Sequence, residues 1–393
     1  MPEEDRLSAS SRVLRVQDPV IPIVGRWVRE NPGTISLGQG VVHFQPPAAV
    51  WSALQSTDAH EANWHCYGDV RGSDSLRSAI CKKISSENGF DVQPANSVVV
   101  TAGSNMAFFQ SVLAIADPGD EIVLIGPYYF NHEMAILLAG CSPVIVPSGP
   151  DYQPNIEALK CAVTSRTRAI VTISPNNPTG AVYPESTLRE ISDVCKLGGI
   201  YHISDEAYEY FTYEGASHFS PGCIDGAAGF TISLFSLSKA FGMAGWRTGY
   251  AVIPRHLDLA FAKIQDTNLI CPPGINQHAA EIAITQGRPW TEQFMSEFAT
   301  VRQQVLDVLK SLSDRLEVPN PQGAFYVLLK LHEPVEEMQL VERLVREYGV
   351  AVLPGGTFGT EVSSLRISYG ALDAATIGEG LERLRSGLQA LVR

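Results

Sequence analysis

Between residues 97 and 253, short apolar runs alternate with segments of helical periodicity. The runs are nearly continuous in valine, isoleucine and leucine, as in strands buried on both faces. Such strands occur in parallel sheets that helices cover on both sides, so we predict an α/β fold with a mostly parallel sheet. The predicted strands lie within residues 97–103, 121–126, 142–147, 168–175, 199–208, 230–239 and 248–254.

The flanking regions predict a second, smaller unit. Residues 1–35 resemble an arm with a short helix. After about residue 270, helices dominate as far as residue 313, including one long helix from about residue 289, and strands and helices then alternate to the end of the chain. We predict an arm and part of a small domain at 1–45, a large domain at 46–285, and a small α+β domain at 286–393.

Composition narrows the function classes. The 393 residues carry a net charge of −13 and no visible basic cluster, which argues against a nucleic-acid partner. No apolar run approaches the roughly 20 residues that span a membrane. Seven cysteines are scattered without a C-x-x-C pair, so we expect neither a disulfide framework nor a metal site. The polar, acidic start is unlike a secretory signal, and we expect a cytoplasmic protein.

The segment SLSKAFGMAGWRTGY, residues 236–250, concentrates the groups that a covalent cofactor needs. Lys239 lies close to Ser236 and Ser238, and Arg247 follows within a glycine-rich stretch. A lysine amine forms an imine with an aldehyde, while hydroxyls and a guanidinium suit a phosphate. We therefore hypothesise that Lys239 carries pyridoxal phosphate as a Schiff base. The alternative is a glycine-rich surface turn.

Further polar residues stand where predicted strands end, the edge at which open α/β sheets bind ligands. Residues 103–105, Gly-Ser-Asn, begin a helix and offer backbone N–H groups to a phosphate; an ordinary strand–helix turn is the alternative. Asn177 in VTISPNNPTG suits a phenolate oxygen, or belongs to a simple turn. Asp205 and Tyr208 in ISDEAYEY suit a pyridine nitrogen and a phenolate, or are a helix cap and a core tyrosine.

Two further stretches suit contacts with an aromatic ring and a carboxylate. In GPYYFNHEM, residues 126–134, Tyr128 or Tyr129 could stack on a ring or could staple a helix start. In SSLRISYG, residues 363–370, Arg366 lies between apolar residues of a predicted strand. Because an unpaired buried charge is costly, Arg366 either binds a substrate carboxylate or forms a structural salt bridge.

Four features follow one another along the chain: NNPTG, D-x-x-Y, S-x-S-K-x-x-x-x-x-G-x-R-x-G and a late arginine. In this order they resemble the fold-type I, class I and II pyridoxal-phosphate-dependent aminotransferases. The resemblance spans residues 36–370 and implies a large domain with a seven-stranded sheet and an amino acid and a 2-oxo acid as substrates in a ping-pong reaction. It implies that Lys239 forms the internal aldimine and shuttles a proton, Asp205 pairs with the pyridine nitrogen, and Asn177 and Tyr208 contact the phenolate oxygen.

The same resemblance assigns the remaining groups. It implies stacking by Tyr129, a carboxylate clamp at Arg366 and a substrate-contacting glycine at Gly40. Because Tyr67 occupies a position that reaches the neighbouring subunit's phosphate in this family, a homodimer with shared sites is implied. The phosphate group would be held by Ser236, Ser238, Arg247 and the loop of Gly103, Ser104 and Asn105.

The substrate remains open between several choices. Dicarboxylate-specific relatives place a cation where this chain has Asn105, and the loop LGQGVVHFQPP is similar to a plant and cyanobacterial group of aromatic aminotransferases. In that loop Val42 and His43 replace the more common Pro-Asp, and His43 either faces the substrate or is an ordinary loop residue. We predict an aromatic amino acid or methionine as donor. The alternatives are aspartate-type transfer, a carbon–sulfur β-lyase or an aminocyclopropane carboxylate synthase on the same fold, and a non-enzymatic binding protein.

Overall fold

A computed structural model describes residues 9–58, 64–149 and 151–392. Its largest sheet has seven strands, and every neighbouring pair is parallel except the two pairs made by Gly249–Pro254. This confirms the predicted mostly parallel sheet and α/β class. In spatial order the strands are Asn96–Thr101, Gly249–Pro254, Thr231–Ser236, Tyr201–Asp205, Thr167–Ile173, Glu121–Gly126 and Ser142–Pro147.

The reversed direction of Gly249–Pro254 was not predicted. It follows from the connection that precedes it, residues 237–248, which contains only a one-turn helix, Leu237–Ala240, and a short 3₁₀ turn, Ala244–Trp246. A parallel crossover usually runs through a full α-helix that packs along the sheet. This connection has only a single helical turn, and the chain returns antiparallel.

Helices cover both faces of the large sheet. Along Glu121–Gly126, Ile122 and Leu124 pack into one apolar cluster while Val123 and Ile125 pack into another on the opposite face. This alternation is the period of two that places successive side chains on opposite sides of a strand. The helices associated with this part of the chain are Ala48–Ser56, Asp74–Lys83, Ser104–Ile115, Phe130–Leu138, Ile156–Ala162, Glu185–Gly198, Asp258–Asn268 and Gly274–Gln286.

Local sequence signals determine where several helices begin and end. The Ser73 side chain accepts a hydrogen bond from the N–H of Leu76 at 3.4 Å, so it caps Asp74–Lys83. That helix continues as a π-helical turn, Ile84–Asn88, and ends at Gly89 with φ +78°. Gly199, with φ +63°, ends Glu185–Gly198 in the left-handed conformation that glycine adopts without strain.

The late part of the chain forms an antiparallel four-stranded sheet with helices packed against it. Its strands in spatial order are Leu353–Pro354, Ser364–Ser368, Tyr326–Leu331 and Leu316–Glu317. The long helix expected from about residue 289 is Arg288–Lys310, and it is followed by Glu337–Tyr348 and Ile377–Leu391. The domain boundaries given above stay a prediction.

The amino-terminal segment contributes the helices Ser11–Leu14 and Val20–Glu30. A two-stranded parallel sheet, which the sequence did not predict, then joins Ile35–Ser36 to Val350–Ala351. The chain before residue 45 thus pairs with the late sheet region before it reaches the large sheet. Among the described residues, no helix combines the length and the apolar character needed to cross a membrane.

Candidate active site

A cleft of about 170 Å³ opens at the carboxyl edge of the large sheet, beside the late four-stranded sheet. Strands of parallel sheets end there, so their terminal side chains and the following helix starts converge on one space. All of the predicted site residues line this cleft except Gly103 and Tyr67. Those that do are Gly40, Ser104, Asn105, Tyr129, Asn177, Asp205, Tyr208, Ser236, Ser238, Lys239, Arg247 and Arg366.

Lys239 occupies the one-turn helix Leu237–Ala240, directly after the strand Thr231–Ser236. The Ser236 side chain starts this helix by accepting a 3.1 Å hydrogen bond from the N–H of Ser238. The ammonium group of Lys239 donates to the carbonyl of Gly40. Burial, and after it the nearby cations of Arg366 and Arg247, lowers the pKa of Lys239 from 10.5 to about 8. A lysine with this pKa is a much better nucleophile near neutral pH than an exposed one.

One end of the cleft collects donors suited to an anion. Gly103 is the N-cap of Ser104–Ile115 at φ +85°, and Ser104 and Asn105 of the first turn line the cleft. The first N–H groups of a helix have no partner within it, so such a helix start suits an anion. A Cβ atom at position 103 would lie 2.6 Å from Nη2 of Arg247, so only glycine leaves room for the guanidinium. The same Nη2 donates a 3.3 Å hydrogen bond to the carbonyl of Ala102, which holds the Arg247 guanidinium at this helix start.

Asp205 is the last residue of the central strand Tyr201–Asp205 and is 6% exposed. Its Oδ1 accepts a 3.2 Å hydrogen bond from the N–H of Ala207, and its Oδ2 lies 3.1 Å from Nε2 of His132. The imidazole of His132 stacks on Phe108 with ring centroids 3.8 Å apart. Sequence reasoning missed His132, although its position three residues after Tyr129, in the first turn of a strand-following helix, was an available signal.

One buried chain of polar contacts joins four side chains: Arg366, Asn177, Tyr208 and Tyr326. Nη1 of Arg366 donates to Oδ1 of Asn177 at 2.9 Å, and Nδ2 of Asn177 donates to the Tyr208 hydroxyl at 3.4 Å. The hydroxyls of Tyr208 and Tyr326 are 2.8 Å apart. Nη2 of Arg366 donates to the carbonyl of Gly38 at 2.6 Å.

Arg366 is 2% exposed, and no described residue offers it a carboxylate partner. Its Nε has no hydrogen-bond partner among the described residues, and its guanidinium lies 4.6 Å from the ring centroid of Tyr326 and 4.8 Å from that of Phe358. The structural salt bridge considered from the sequence is therefore not what holds Arg366. A buried guanidinium between two aromatic rings, with a free donor, suits an anionic ligand.

Tyr326 lines the cleft, and the sequence did not single it out either. It begins the strand Tyr326–Leu331, but the sequence could not say that its ring faces the cleft. A Cβ atom at Gly40 would lie 3.2 Å from Cζ of Tyr326 and still closer to the hydroxyl oxygen, so the loop approaches the ring only because residue 40 is glycine.

Of the two adjacent tyrosines, Tyr129 lines the cleft and Tyr128 is buried in a core cluster. The Tyr129 hydroxyl accepts a 2.8 Å hydrogen bond from Asn131, and burial raises its pKa. His43 does not line the cleft; its Nε2 lies 3.2 Å from Glu297 and its ring packs beside Phe298, so it is a loop residue turned away from the site.

Tyr67 lies outside the cleft of its own chain. It is 82% exposed and borders a separate depression together with Trp64 and His278. Its predicted contact with a neighbouring subunit stays a prediction.

Comparison with known proteins identifies the family. Residues 32–384 match the model of aminotransferase class I and II. The chain is 33% identical to an aromatic aminotransferase of Arabidopsis thaliana, with 98% of this chain and 97% of that protein aligned. It is 38% identical to a probable aspartate/prephenate aminotransferase of Thermus aquaticus, over 92% and 93% of the two chains.

The fold agrees with solved structures of similar sequence. The aspartate aminotransferase from Thermus thermophilus with maleate superimposes with a TM-score of 0.89 at 33% identity, covering 97% of this chain and 100% of that one. A family match over most of the chain and relatives above 30% identity along nearly their whole length leave one assignment. The chain belongs to the aminotransferases of class I and II, a family of pyridoxal-phosphate-dependent enzymes.

Proposed function

We propose that the cleft binds pyridoxal phosphate through Lys239 and transfers an amino group from an aromatic amino acid or methionine to a 2-oxo acid. One observation carries this proposal: the Lys239 amine and the buried Asp205 carboxylate line the same cleft, and the pKa of Lys239 is lowered to about 8. An amine that reacts with an aldehyde and a carboxylate that pairs with a protonated pyridine nitrogen are the two groups that the cofactor requires most.

The chemistry of the donors fits each end of the cofactor. Lys239 would hold the aldehyde carbon and Asp205 the pyridine nitrogen. Asn177 and Tyr208, already joined by a hydrogen bond, would contact the phenolate oxygen. The phosphate would be held by Arg247, by Ser236 and Ser238, and by the helix start of Gly103, Ser104 and Asn105, while Tyr129 would stack on the ring.

When bound, pyridoxal phosphate supplies an aldehyde for exchange with amines and a conjugated ring that withdraws electrons from the substrate Cα. The protein would supply the proton transfers and the orientation. The substrate amine would take the place of Lys239 at the aldehyde carbon. The freed Lys239 amine, whose pKa burial lowers to about 8, would then take a proton from the substrate Cα and release it again. Asp205, placed beside His132, would keep a proton on the ring nitrogen.

Arg366 would bind the substrate α-carboxylate as a two-pronged donor, with Gly40 alongside. This role is supported by its burial between Tyr326 and Phe358 and by its Nε, which no described residue accepts from. A carboxylate held there would fix the substrate amine and Cα at the Lys239 end of the cleft, which is the orientation effect that enzymes use to lower a barrier.

The preference for an apolar side chain rests on the charges that line the cleft. Among its described lining residues the cations are Lys239, Arg247 and Arg366, and each has a proposed partner on the cofactor or at the α-carboxylate. The lining also contains Ile21 and Phe130, which suit apolar carbon. A second carboxylate would find Asn105, which is neutral.

Aspartate or prephenate transfer is the second candidate, because the Thermus aquaticus relative that carries this description is 38% identical to the chain. A matrix of donors and acceptors, measured with the purified, cofactor-loaded protein, decides between them. Phenylalanine, tyrosine, tryptophan or methionine should give the highest kcat/KM. Aspartate strongly ahead of these would overturn the side-chain preference, and pyruvate and ammonia from cystathionine without an acceptor would indicate a β-lyase.

The proposal includes a cytoplasmic homodimer. Large apolar side chains are exposed at Tyr67 (82%), Trp51 (47%) and Ile275 (43%), where a second copy would bury them. All seven cysteines are free thiols, which supports a reducing compartment. Analytical ultracentrifugation should give twice the chain mass, and Tyr67→Phe should weaken cofactor affinity in the dimer; a monomer with full activity would contradict this part.

A further inference from the structure

A group of buried polar residues lies directly behind the segment that carries Asp205 and Tyr208. We call it the buried network; its members are Lys83, Asn88, Glu206, Glu209, His218 and Ser220. The two glutamates are 1% and 7% exposed, and Lys83 is 6% exposed. None of these side chains lines the cleft, and the proposed reaction uses none of them.

The turn that follows the central strand presents two faces. It is closed by a 3.1 Å hydrogen bond from the N–H of Glu209 to the carbonyl of Glu206. Asp205 and Tyr208, three residues apart, both face the cleft. Glu206 and Glu209, also three residues apart, face the buried network. Any shift of one face therefore moves the other.

Glu209 is held by a lysine on a distant helix. Nζ of Lys83, at the end of Asp74–Lys83, lies 2.6 Å and 2.5 Å from the two carboxylate oxygens of Glu209. Nδ2 of Asn88 adds a 3.0 Å hydrogen bond to the same carboxylate. The ammonium of Lys83 also lies 4.7 Å from the ring centroid of Phe235, on the strand that leads to Lys239.

Glu206 is held by a histidine and a serine from the following loop. Its Oε2 lies 2.9 Å from Nε2 of His218 and accepts a hydrogen bond from the Ser220 hydroxyl. Ser220 in turn accepts a 2.8 Å hydrogen bond from Asn88, which joins the two glutamate sites into one network. Oε1 of Glu206 has no partner among the described residues, so Oε2 alone fixes this carboxylate.

Buried pairs of this kind contribute little net stability, because the cost of removing both charges from water offsets their attraction. Such pairs do, however, determine where the chain segments that carry them are placed. A displacement that separates Glu209 from Lys83 leaves an uncompensated buried charge, so the turn has one favoured placement. Side chains that hold a reactive ligand depend on such support behind them.

We propose that the buried network consists of positioning residues, which hold Asp205 and Tyr208 against the pyridine and phenolate side of the cofactor; this inference rests on the proposed pyridoxal phosphate site. The prediction is that breaking the network weakens and reorients bound cofactor, even where the protein stays folded.

The test compares three substitutions of buried glutamates by glutamine. Glu206→Gln and Glu209→Gln alter the buried network. Glu121→Gln is the matched control, because Glu121 is 5% exposed and bound to Thr164 at 2.6 Å but lies at the amino edge of the same sheet. For each variant we would measure the cofactor dissociation constant, the visible circular dichroism of bound cofactor at saturation, and the thermal midpoint.

Glu206→Gln and Glu209→Gln should each raise the cofactor dissociation constant by about tenfold, which is the effect expected if displacement of Asp205 costs the cofactor one charged hydrogen bond. Both variants should also change the circular dichroism per bound cofactor. Glu121→Gln should lower the thermal midpoint and leave both cofactor readouts at the wild-type values. If either glutamine variant does not fold, Ser220→Ala removes one hydrogen bond to Glu206 and should show the same changes at smaller size.

Wild-type dissociation constants and dichroism in the network variants would overturn the inference, as would equal changes in Glu121→Gln. These outcomes leave the proposed function intact. The proposed function fails separately, if the wild-type protein does not bind pyridoxal phosphate at Lys239.

Discussion

Nη1 of Arg366 and Oδ1 of Asn177 are joined by a 2.9 Å hydrogen bond across the cleft. The two residues belong to different parts of the fold. Arg366 lies on the strand Ser364–Ser368 of the late sheet, and Asn177 lies in the loop that follows the strand Thr167–Ile173 of the large sheet. Asn177 also contacts Tyr208, so the proposed carboxylate clamp is connected to the proposed phenolate contacts. A change at Arg366 is therefore expected to affect both substrate binding and the cofactor.

The carboxylate role of Arg366 predicts a specific loss on Arg366→Lys. Lysine keeps the charge but lacks the planar fork, so the KM for phenylalanine should rise about ten- to a hundredfold. The matched control is Arg302→Lys, since Arg302 is also 2% exposed but binds Glu214 and Asn320 away from the cleft. Steady-state kinetics check this; equal KM changes in the two variants would remove the assigned role.

The close approach of Gly103 to Arg247 predicts that Gly103→Ala weakens cofactor binding. Both Gly103 and Gly33 have positive φ, +85° and +88°, so alanine at either position costs about 1 kcal/mol of stability. Only at position 103 does the added Cβ meet the guanidinium. Equilibrium titration should show about a tenfold weaker pyridoxal phosphate affinity for Gly103→Ala than for Gly33→Ala. Equal affinities would mean that this loop does not hold the phosphate.

Much of the cleft was predictable because its parts are local in sequence. Lys239, Asp205 and Asn177 each follow a strand that short apolar runs identify, and the strand-end rule places them on one edge. His132 and Tyr326 were missed for the same reason. The sequence places both on regular elements, but which face each one presents depends on packing between elements that are far apart in the chain.

Pairing between distant segments of the chain could not be predicted from the sequence either. The strands Ile35–Ser36 and Val350–Ala351 are two residues long, too short to give a periodic pattern, and they form because two segments far apart in the chain meet in space. The buried network has the same origin, since Lys83 and Glu209 are far apart in sequence. Glu209 stands in the quoted stretch ISDEAYEY, but nothing in that stretch identifies Lys83 as its partner.

The lowered pKa of Lys239 predicts how the protein without cofactor captures pyridoxal phosphate. Only the neutral amine reacts, and its fraction rises with pH until the pKa is passed. The capture rate should therefore rise about tenfold per pH unit below pH 8 and level off above it. Stopped-flow absorbance measures this rate. A midpoint near the ordinary value of 10.5 would show that the cleft does not activate this lysine.

The neutral cleft residue Asn105 predicts a shift in substrate choice on Asn105→Lys. Asn105 is exposed at the cleft and carries no charge, so a lysine there adds a cation for a second carboxylate. The ratio of kcat/KM for aspartate to that for phenylalanine should rise about tenfold. Asn105→Gln, which adds length without charge, is the control and should leave the ratio unchanged; a similar rise in both would exclude the charge as the cause.

The central claim is that the ε-amine of Lys239 is the covalent point of attachment for the cofactor. Borohydride reduction of the protein with pyridoxal phosphate, followed by peptide mass spectrometry, tests it most directly. The predicted result is a pyridoxyl group on Lys239, absent from Lys239→Ala, whose turnover should fall by about a thousandfold or more. A pyridoxyl group confined to another lysine, or normal turnover in Lys239→Ala, would contradict the account.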